Sequence, residues 1–448
     1  MIARVPPPSR ARSAAVLLAV AGAVLLLGGC GSSAKSSSSS SESVGEQRFA
    51  GTPPSCAATV MQTLQRIVER VYREGVRGPR IGSAKYVLRS STALRSAVEA
   101  GSAAAARAAA KQLLATGHLT DLRVSVGSRT LVAAGKPGLT PLNGTLEDAE
   151  GAPLASYVAS VWSDEGFMAE VGGVIEGYVA LLELSKGAGE EIHTPRGGAH
   201  LLAGSFPLPT AGLTANAGTL THDGIVYRYA SFPGEAYPAG AVRIYLLREA
   251  STTARLCARS SEGTVLNTVR HVAHLIYNEE HGPPALKQIA RVQHNRALLE
   301  AVATRDPAAT VTAIKALLNE HIVRLRVFAS DGELLGDVGR PYVLAPVRAP
   351  LRLHGRTIGR FVLSVQDDEG YEKLAKRLED LDVLVYMNSK IVKNSLGPVT
   401  GEVPANGPYS YAGHSYRVFT EHGEAFPSGP LVIRVFEPLP YLSQPIGN

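Results

Sequence analysis

Four arginines and one phenylalanine sit where a strand could present them to a ligand. Arg123 and Arg326 stand mid-segment between apolar neighbours, Leu122 and Val124 in one case, Leu325 and Val327 in the other. Arg228 and Arg417 each follow a tyrosine in a later strand-like stretch. A sheet arginine aimed into a concave pocket offers a planar fork to a carboxylate. Alternation puts Arg326 and Phe328 on one face, opposite Leu325 and Val327. An arginine beside an aromatic ring suits a small organic anion. The ligand-binding set is therefore Arg123, Arg228, Arg326, Phe328 and Arg417. The competing reading is an outward, solvated face with the aliphatic stems lying flat.

Other residue types offer less. Asp164-Glu165-Gly166 and Asp368-Glu369-Gly370 place paired carboxylates that could do acid–base work or hold a cation. Both pairs fall where a strand gives way to a helix. Acids there satisfy free amides and complement the helix dipole, so they read as capping residues. His271 and His274 lie at i and i+3 on one helix, with His281 following. A zinc site needs three or four ligands, and these histidines read as solvated. No HExxH, CxxC, GxSxG or glycine-rich phosphate loop occurs. The chain thus reads as a non-enzyme, with no catalytic residue, no metal and no cofactor.

The elements that carry these residues are duplicated. Residues 157–167 (YVASVWSDEGF) and 361–371 (FVLSVQDDEGY) agree at six of eleven positions, at an offset of 204. Residues 226–240 and 415–429 agree at seven of fifteen, at an offset of 189. Several matches in register and in the same order mean one module made twice, at 55–250 and 258–438. The change of offset places an insertion within 185–210 of the first copy, a Gly- and Pro-rich surface loop.

In the second copy, Thr268, Val269, Val272, Leu275 and Ile276 have helical spacing. A helical pair follows at about 285–303 and 307–320, with Asp306 as cap and Pro307 at the first helical position. Residues 325–339 form a hairpin about Asp331-Gly332. Strands at 357–365, 383–391, 416–420 and 431–436 follow, with a helix from Asp367 to about Leu381. Gly234–Pro238 and Gly423–Pro427 read as matching loops between strands. The class is α+β, with N-terminal helices and then an antiparallel sheet in each copy.

The start of the chain is of a different kind. Arg4, Arg10 and Arg12 precede an apolar run from Ala14 to Leu27, too short to be a mature membrane span. It ends in Leu27-Gly28-Gly29-Cys30, which resembles the lipobox of bacterial lipoproteins. The resemblance implies that residues 1–29 are a signal peptide and that Cys30 becomes a lipidated N-terminus. Residues 30–54, with six consecutive serines, read as a disordered tether. About 25 such residues reach roughly 25–30 Å. No later run is apolar enough to span a bilayer. Residues 439–448 form a C-terminal tail.

Composition agrees with a globular body. Apolar residues are 45% and charged residues 19%, which excludes a wholly disordered chain. The formal charge of +6 includes three leader arginines and no leader acid, leaving +3. That is no electrostatic footprint for nucleic acid. Cys56 and Cys257 remain after Cys30. In an oxidising compartment they either pair or stay buried as free thiols, and spacing does not decide.

The second copy resembles the Cache-type extracytoplasmic sensor domains, PDC-like relatives of PAS. The features are the long opening helix, the short helical pair, the RVFASDGELLGDVG hairpin and the HGRTIGRFVLSVQDDEGY strand and helix. The first copy inherits the resemblance through the repeat. Its hairpin turn is Gly127-Ser128-Arg129, and it lacks the Ile-Gly pair. Neither copy carries the aromatic-Arg-aromatic…Asp pattern of amino-acid receptors, so the ligand class stays open. The resemblance implies a PAS/Cache-like sheet, a small-molecule ligand and a sensor role. Such receptors signal through a transmembrane helix to an output domain, neither of which is seen here. The expected partners are therefore the membrane, a small organic ligand and a membrane signalling protein. The alternative is a non-catalytic envelope scaffold whose pockets are filled by side chains.

Overall fold

Helices in this chain start at small polar residues and bury one apolar stripe. The first, α1 (Cys56–Arg77), buries Val60, Leu64, Ile67, Val68 and Val71, three or four residues apart. Ser55 caps it by accepting from the Ala58 amide. The computed structural model describes residues 55–136, 138–183, 201–204, 216–278, 283–318, 321–399, 401–426 and 429–439, with the backbone alone at 201–204 and 283–284. The leader, Cys30, the tether, His281, Pro427, most of the 185–210 insertion and the tail beyond 439 lie outside the described residues.

After α1 come α2 (Pro79–Ser90), α3 (Thr92–Glu99) and α4 (Ala103–Ala115). Strands β1 (Asp121–Val126), β2 (Arg129–Gly135), β3 (Gly138–Leu139), β4 (Leu142–Glu147), β5 (Pro153–Ser160) and β6 (Trp162–Ser163) follow. Helix α5 (Asp164–Ile175) precedes β7 (Tyr178–Glu183), β8 (Leu201–Gly204), β9 (Ala217–His222), β10 (Ile225–Tyr237) and β11 (Gly240–Glu249). A short α6 (Ala250–Arg255) leads into the second half.

The second half opens with α7 (Ser261–Tyr277), α8 (Pro283–Gln293), α9 (Arg296–Ala303) and α10 (Pro307–Leu317). Then come β12 (Arg324–Ala329), β13 (Leu334–Gly339), β14 (Val343–Leu344), β15 (Val347–Leu353), β16 (Arg356–Ser364) and β17 (Gln366–Asp367). Helix α11 (Asp368–Glu379) precedes β18 (Asp382–Met387), β19 (Lys390–Asn394), β20 (Gly407–Tyr411), β21 (His414–Phe426) and β22 (Pro430–Leu439).

Among the described residues each half holds two antiparallel sheets, where the sequence suggested one. The four-stranded sheets run β2-β1-β5-β4 and β13-β12-β16-β15. The seven-stranded sheets run β6-β3-β10-β11-β7-β8 with β9 on β10, and β17-β14-β21-β22-β18-β19 with β20 on β21. The two halves repeat this order strand for strand. The class is α+β, with two sheet-rich halves.

Several local expectations need correction. Gly234 and Gly423 lie inside the long strands β10 and β21, not in loops. Each glycine lets a helix tyrosine approach the strand. Tyr72 Oη accepts from the Glu235 amide at 2.7 Å, and Tyr277 Oη from the Glu424 amide at 2.9 Å. The expected strand 383–391 is a hairpin, turned at Asn388 and Ser389, both with positive φ. The expected helix 285–303 breaks before Asn295, whose side chain caps α9. Leu201–Gly204, within the expected loop, is strand β8 paired to β7. The cap residues of α5 and α11 are Ser163 and Asp367. The acid pairs 164–165 and 368–369 occupy the first turn just inside them.

Helices α1, α5, α7 and α11 pack on one another, α1 also against β10, α5 against β7 and α11 against β18. One apolar core therefore runs from the first half into the second, from Val60 and Leu64 through Val269 and Val272 to Phe419 and Val435. Each fully buried aliphatic side chain contributes about 1.5–3 kcal/mol. Arg377 of α11 ties the halves further. It donates to Glu74 of α1 at 2.5 Å and to Glu170 of α5, and lies 5.8 Å from the Trp162 ring centre. Cys56 and Cys257 are bonded to each other, with Cα atoms 5.5 Å apart, which joins the start of α1 to the segment before α7.

Candidate ligand site

Helix α7 begins at Ser260, whose Oγ accepts from the Gly263 amide at 3.0 Å. Its first half runs beside β21, and alternation along that strand turns Arg417 and Phe419 toward the helix. A groove of about 580 Å³ opens between them, lined by Glu262, Leu266, Arg270, Asn406, Arg417 and Phe419 among others. Arg417 Nη2 donates to Glu262 Oε1 at 2.5 Å. Arg270 Nη2 donates to Asn406 Oδ1 at 3.0 Å, and the guanidinium lies 5.3 Å from the Phe419 ring centre. Arg270 Nε is buried and makes no hydrogen bond among the described residues.

Further acids stand behind the lining residues, outside the groove itself. Glu421 lies 3.2 Å from His274 Nδ1 and 4.0 Å from Arg270 Nε. Burial pushes the Glu437 carboxyl up to about 7, with the Glu262 charge adding and Arg417 opposing. Burial and the Glu437 charge hold Glu379 well above the usual carboxylate range, against the pull of Arg70. Two guanidiniums, an amide and an aromatic wall suit a small organic acid. Its carboxylate would meet Arg270, and Arg417 once Glu262 gives way, while its apolar part would lie on Leu266 and Phe419.

The five residues singled out from sequence do not converge on this groove. Arg417 lines it. Arg228, the first-half counterpart, donates to Thr219 Oγ1 at 2.7 Å. The first half has Gln65 and Ala230 where the second has Arg270 and Phe419, so the groove chemistry belongs to the second repeat. Arg326 and Phe328 share a face of the small sheet, with the guanidinium 5.8 Å from the ring centre. Its Nε and Nη2 are both 3.0 Å from Asp337 Oδ2. That fork is occupied from within the protein. Burial alone would raise the Asp337 carboxyl, but bonds from Arg324 and the charge of Arg326 hold it below the usual carboxylate range. Arg123 stands at the equivalent place, 5.1 Å from the Tyr237 ring centre, and its buried Nε makes no hydrogen bond among the described residues. Beside it, burial pushes Asp121 up to about 6, against the Leu122 amide and the Arg123 charge.

Of the histidines expected to be solvated, His274 is exposed and His271 is not. His271 Nε2 lies 3.0 Å from Glu176 and 3.2 Å from the buried Arg248. Burial pushes its pKa down, and Arg248 adds to that. His274 turns instead to Glu421. No group of three or more potential metal ligands occurs among the described residues. Sequence reasoning missed Arg270, Asn406 and Phe419. The signal available was the difference between the repeats at positions 65 and 270 and at 230 and 419.

No helix among the described residues is long and apolar enough to cross a membrane. No protein-family model matches the chain, and no curated protein matches it. Among solved structures it is similar to an extracellular ligand binding receptor from Desulfohalobium retbaense DSM5692, at 11% identity and a TM-score of 0.23. That similarity covers 50% of this chain and 47% of the receptor, less than half of the receptor's length.

Proposed function

We propose that this is a lipid-anchored extracytoplasmic protein of the sensor type, which binds a small organic anion in the second repeat. The lipobox-like leader and serine-rich tether support the anchoring. The observation that carries the binding is the groove beside α7, where Arg270 and Arg417 share one wall space with Phe419. A bound state would be passed to a membrane signalling protein.

The test is a thermal-shift screen of carboxylic acids and amino acids. A specific ligand at one hundred times its Kd stabilises the fold by about 2.7 kcal/mol. The expected result is a hit whose shift is lost in Arg270→Ala and in Arg417→Ala. A hit that survives both changes removes the groove from consideration.

One observation favours the scaffold reading. On the face of the second large sheet turned away from α7, Leu396, Val399 and Val403 pack onto Tyr416, Val418 and Phe436. Side chains fill that face. A negative screen across broad acid libraries would transfer the protein to that class.

A further inference from the structure

The two repeats differ most in the charge of one hairpin. Between Asp337 and Asp367 the chain has no acid, but it has Arg340, Arg348, Arg352, Arg356 and Arg360. The equivalent first-half hairpin, β4–β5, carries Glu147, Asp148 and Glu150 and no base. The basic hairpin β15–β16 turns tightly at His354 and Gly355, both with positive φ. Strand β15 is an edge of its sheet.

Two of these arginines are neutralised within the fold. Arg348 pairs with Glu424, and Arg340 with Asp367 and Glu369. Arg352, Arg356 and Arg360 are exposed, with no carboxylate partner among the described residues. Arg360 is also held in place, 4.0 Å from the Phe328 ring centre. Protection of an exposed edge strand does not explain the arginines. Charge of either sign blocks edge pairing, and the first half uses acids at the same edge. The change of sign selects a partner.

We propose that the β15–β16 hairpin is a membrane-contact surface that takes anionic phospholipid headgroups. This rests on the reading that a short tether holds the body near a membrane. Each arginine within a Debye length of an anionic surface strengthens partition roughly fivefold, so three give on the order of 100-fold. The same surface repels the β4–β5 hairpin. The second repeat then lies against the headgroups, and the ligand groove of that repeat comes with it.

The experiment is co-sedimentation of the chain from residue 30 onward, carrying Cys30→Ser so that no acyl chain contributes. The vesicles are phosphatidylcholine with and without phosphatidylglycerol. The expected result is binding only to the anionic vesicles, weakening with salt. Arg352→Glu, Arg356→Glu and Arg360→Glu together lower it by more than about 100-fold, since each change removes a positive charge and adds a negative one, while the triple lysine variant keeps it. Equal binding by the glutamate variant overturns the proposal. So does salt-dependent self-association without vesicle binding, which would mean that the acidic hairpin of a second copy is the partner. Acylation is read separately, from the mass of Cys30 in membrane-extracted protein. Its absence overturns the anchor and leaves the vesicle result standing.

Discussion

At the scale of single residues, the repeats were edited by exchanging charges inside the fold. Arg248, 2% exposed, lies at the end of β11 and meets Glu176 and His271. At the equivalent place in β22 stands Glu437, also 2% exposed. Glu379, fully buried at the end of α11, replaces Ile175 at the end of α5. A carboxyl in such a place keeps its proton. Below the ordinary glutamate range both the folded and unfolded chains hold that proton, and nothing is lost. Above it the unfolded chain releases the proton, while folded Glu437 keeps it to about 7. Stability therefore falls as pH rises through that interval, by about 3 kcal/mol for a shift of this size. Glu379, raised by burial, acts in the same direction. His271 acts oppositely, since its lowered pKa costs stability as pH falls below its ordinary value. Urea unfolding across this range should show a negative slope that flattens in Glu437→Gln. An unchanged slope in that variant would mean the carboxyl is not the source.

At the scale of elements, the tyrosine that locks each opening helix to its sheet depends on one glycine. A Cβ at Gly423 would overlap the Tyr277 hydroxyl, whereas at Gly234 the nearest atoms are Ile244 Cδ1 at 3.0 Å and Tyr72 at 3.2 Å. Overpacking of this kind costs about 1–3 kcal/mol. Gly423→Ala should therefore destabilise clearly more than Gly234→Ala in chemical unfolding. Equal losses would show that the lock is not set by that contact. These glycines also show what the sequence made legible. The Gly-Glu-Ala-aromatic-Pro match was visible, but Gly and Pro together looked like turn chemistry, while the structure uses the glycine for a close approach inside a strand. Helix α7 and the β12–β13 hairpin were readable because their periodicity and the Asp331-Gly332 turn are local. The second sheet was not, because β3, β6, β14 and β17 are two residues each and exist only through partners far along the chain. The groove was half legible. Arg417 stood out by its strand context, but Arg270 and Asn406 meet it only after α7 and β20 have packed.

At the scale of the whole molecule, the duplication produced one folding unit and not two beads. Helices α1, α5, α7 and α11 share a single core, and Arg377 bonds to both α1 and α5 of the other half. The Cys56–Cys257 bond closes a loop of 201 residues, joining the two opening helices near their starts. In the chain-entropy view, a loop of that length restricts the unfolded state by about 5 kcal/mol. If the helical layer is the true centre of the protein, neither half can lose its sheet without exposing the helices of the other. Calorimetry of the oxidised protein should then give one transition. Reduction, or Cys56→Ala with Cys257→Ala, should lower its midpoint by several degrees and leave it single, because the shared core remains. Two separable transitions in the oxidised protein would mean that the halves are independent. The groove beside α7 would then report on the second repeat alone, and a ligand there would have no route through the fold to the first.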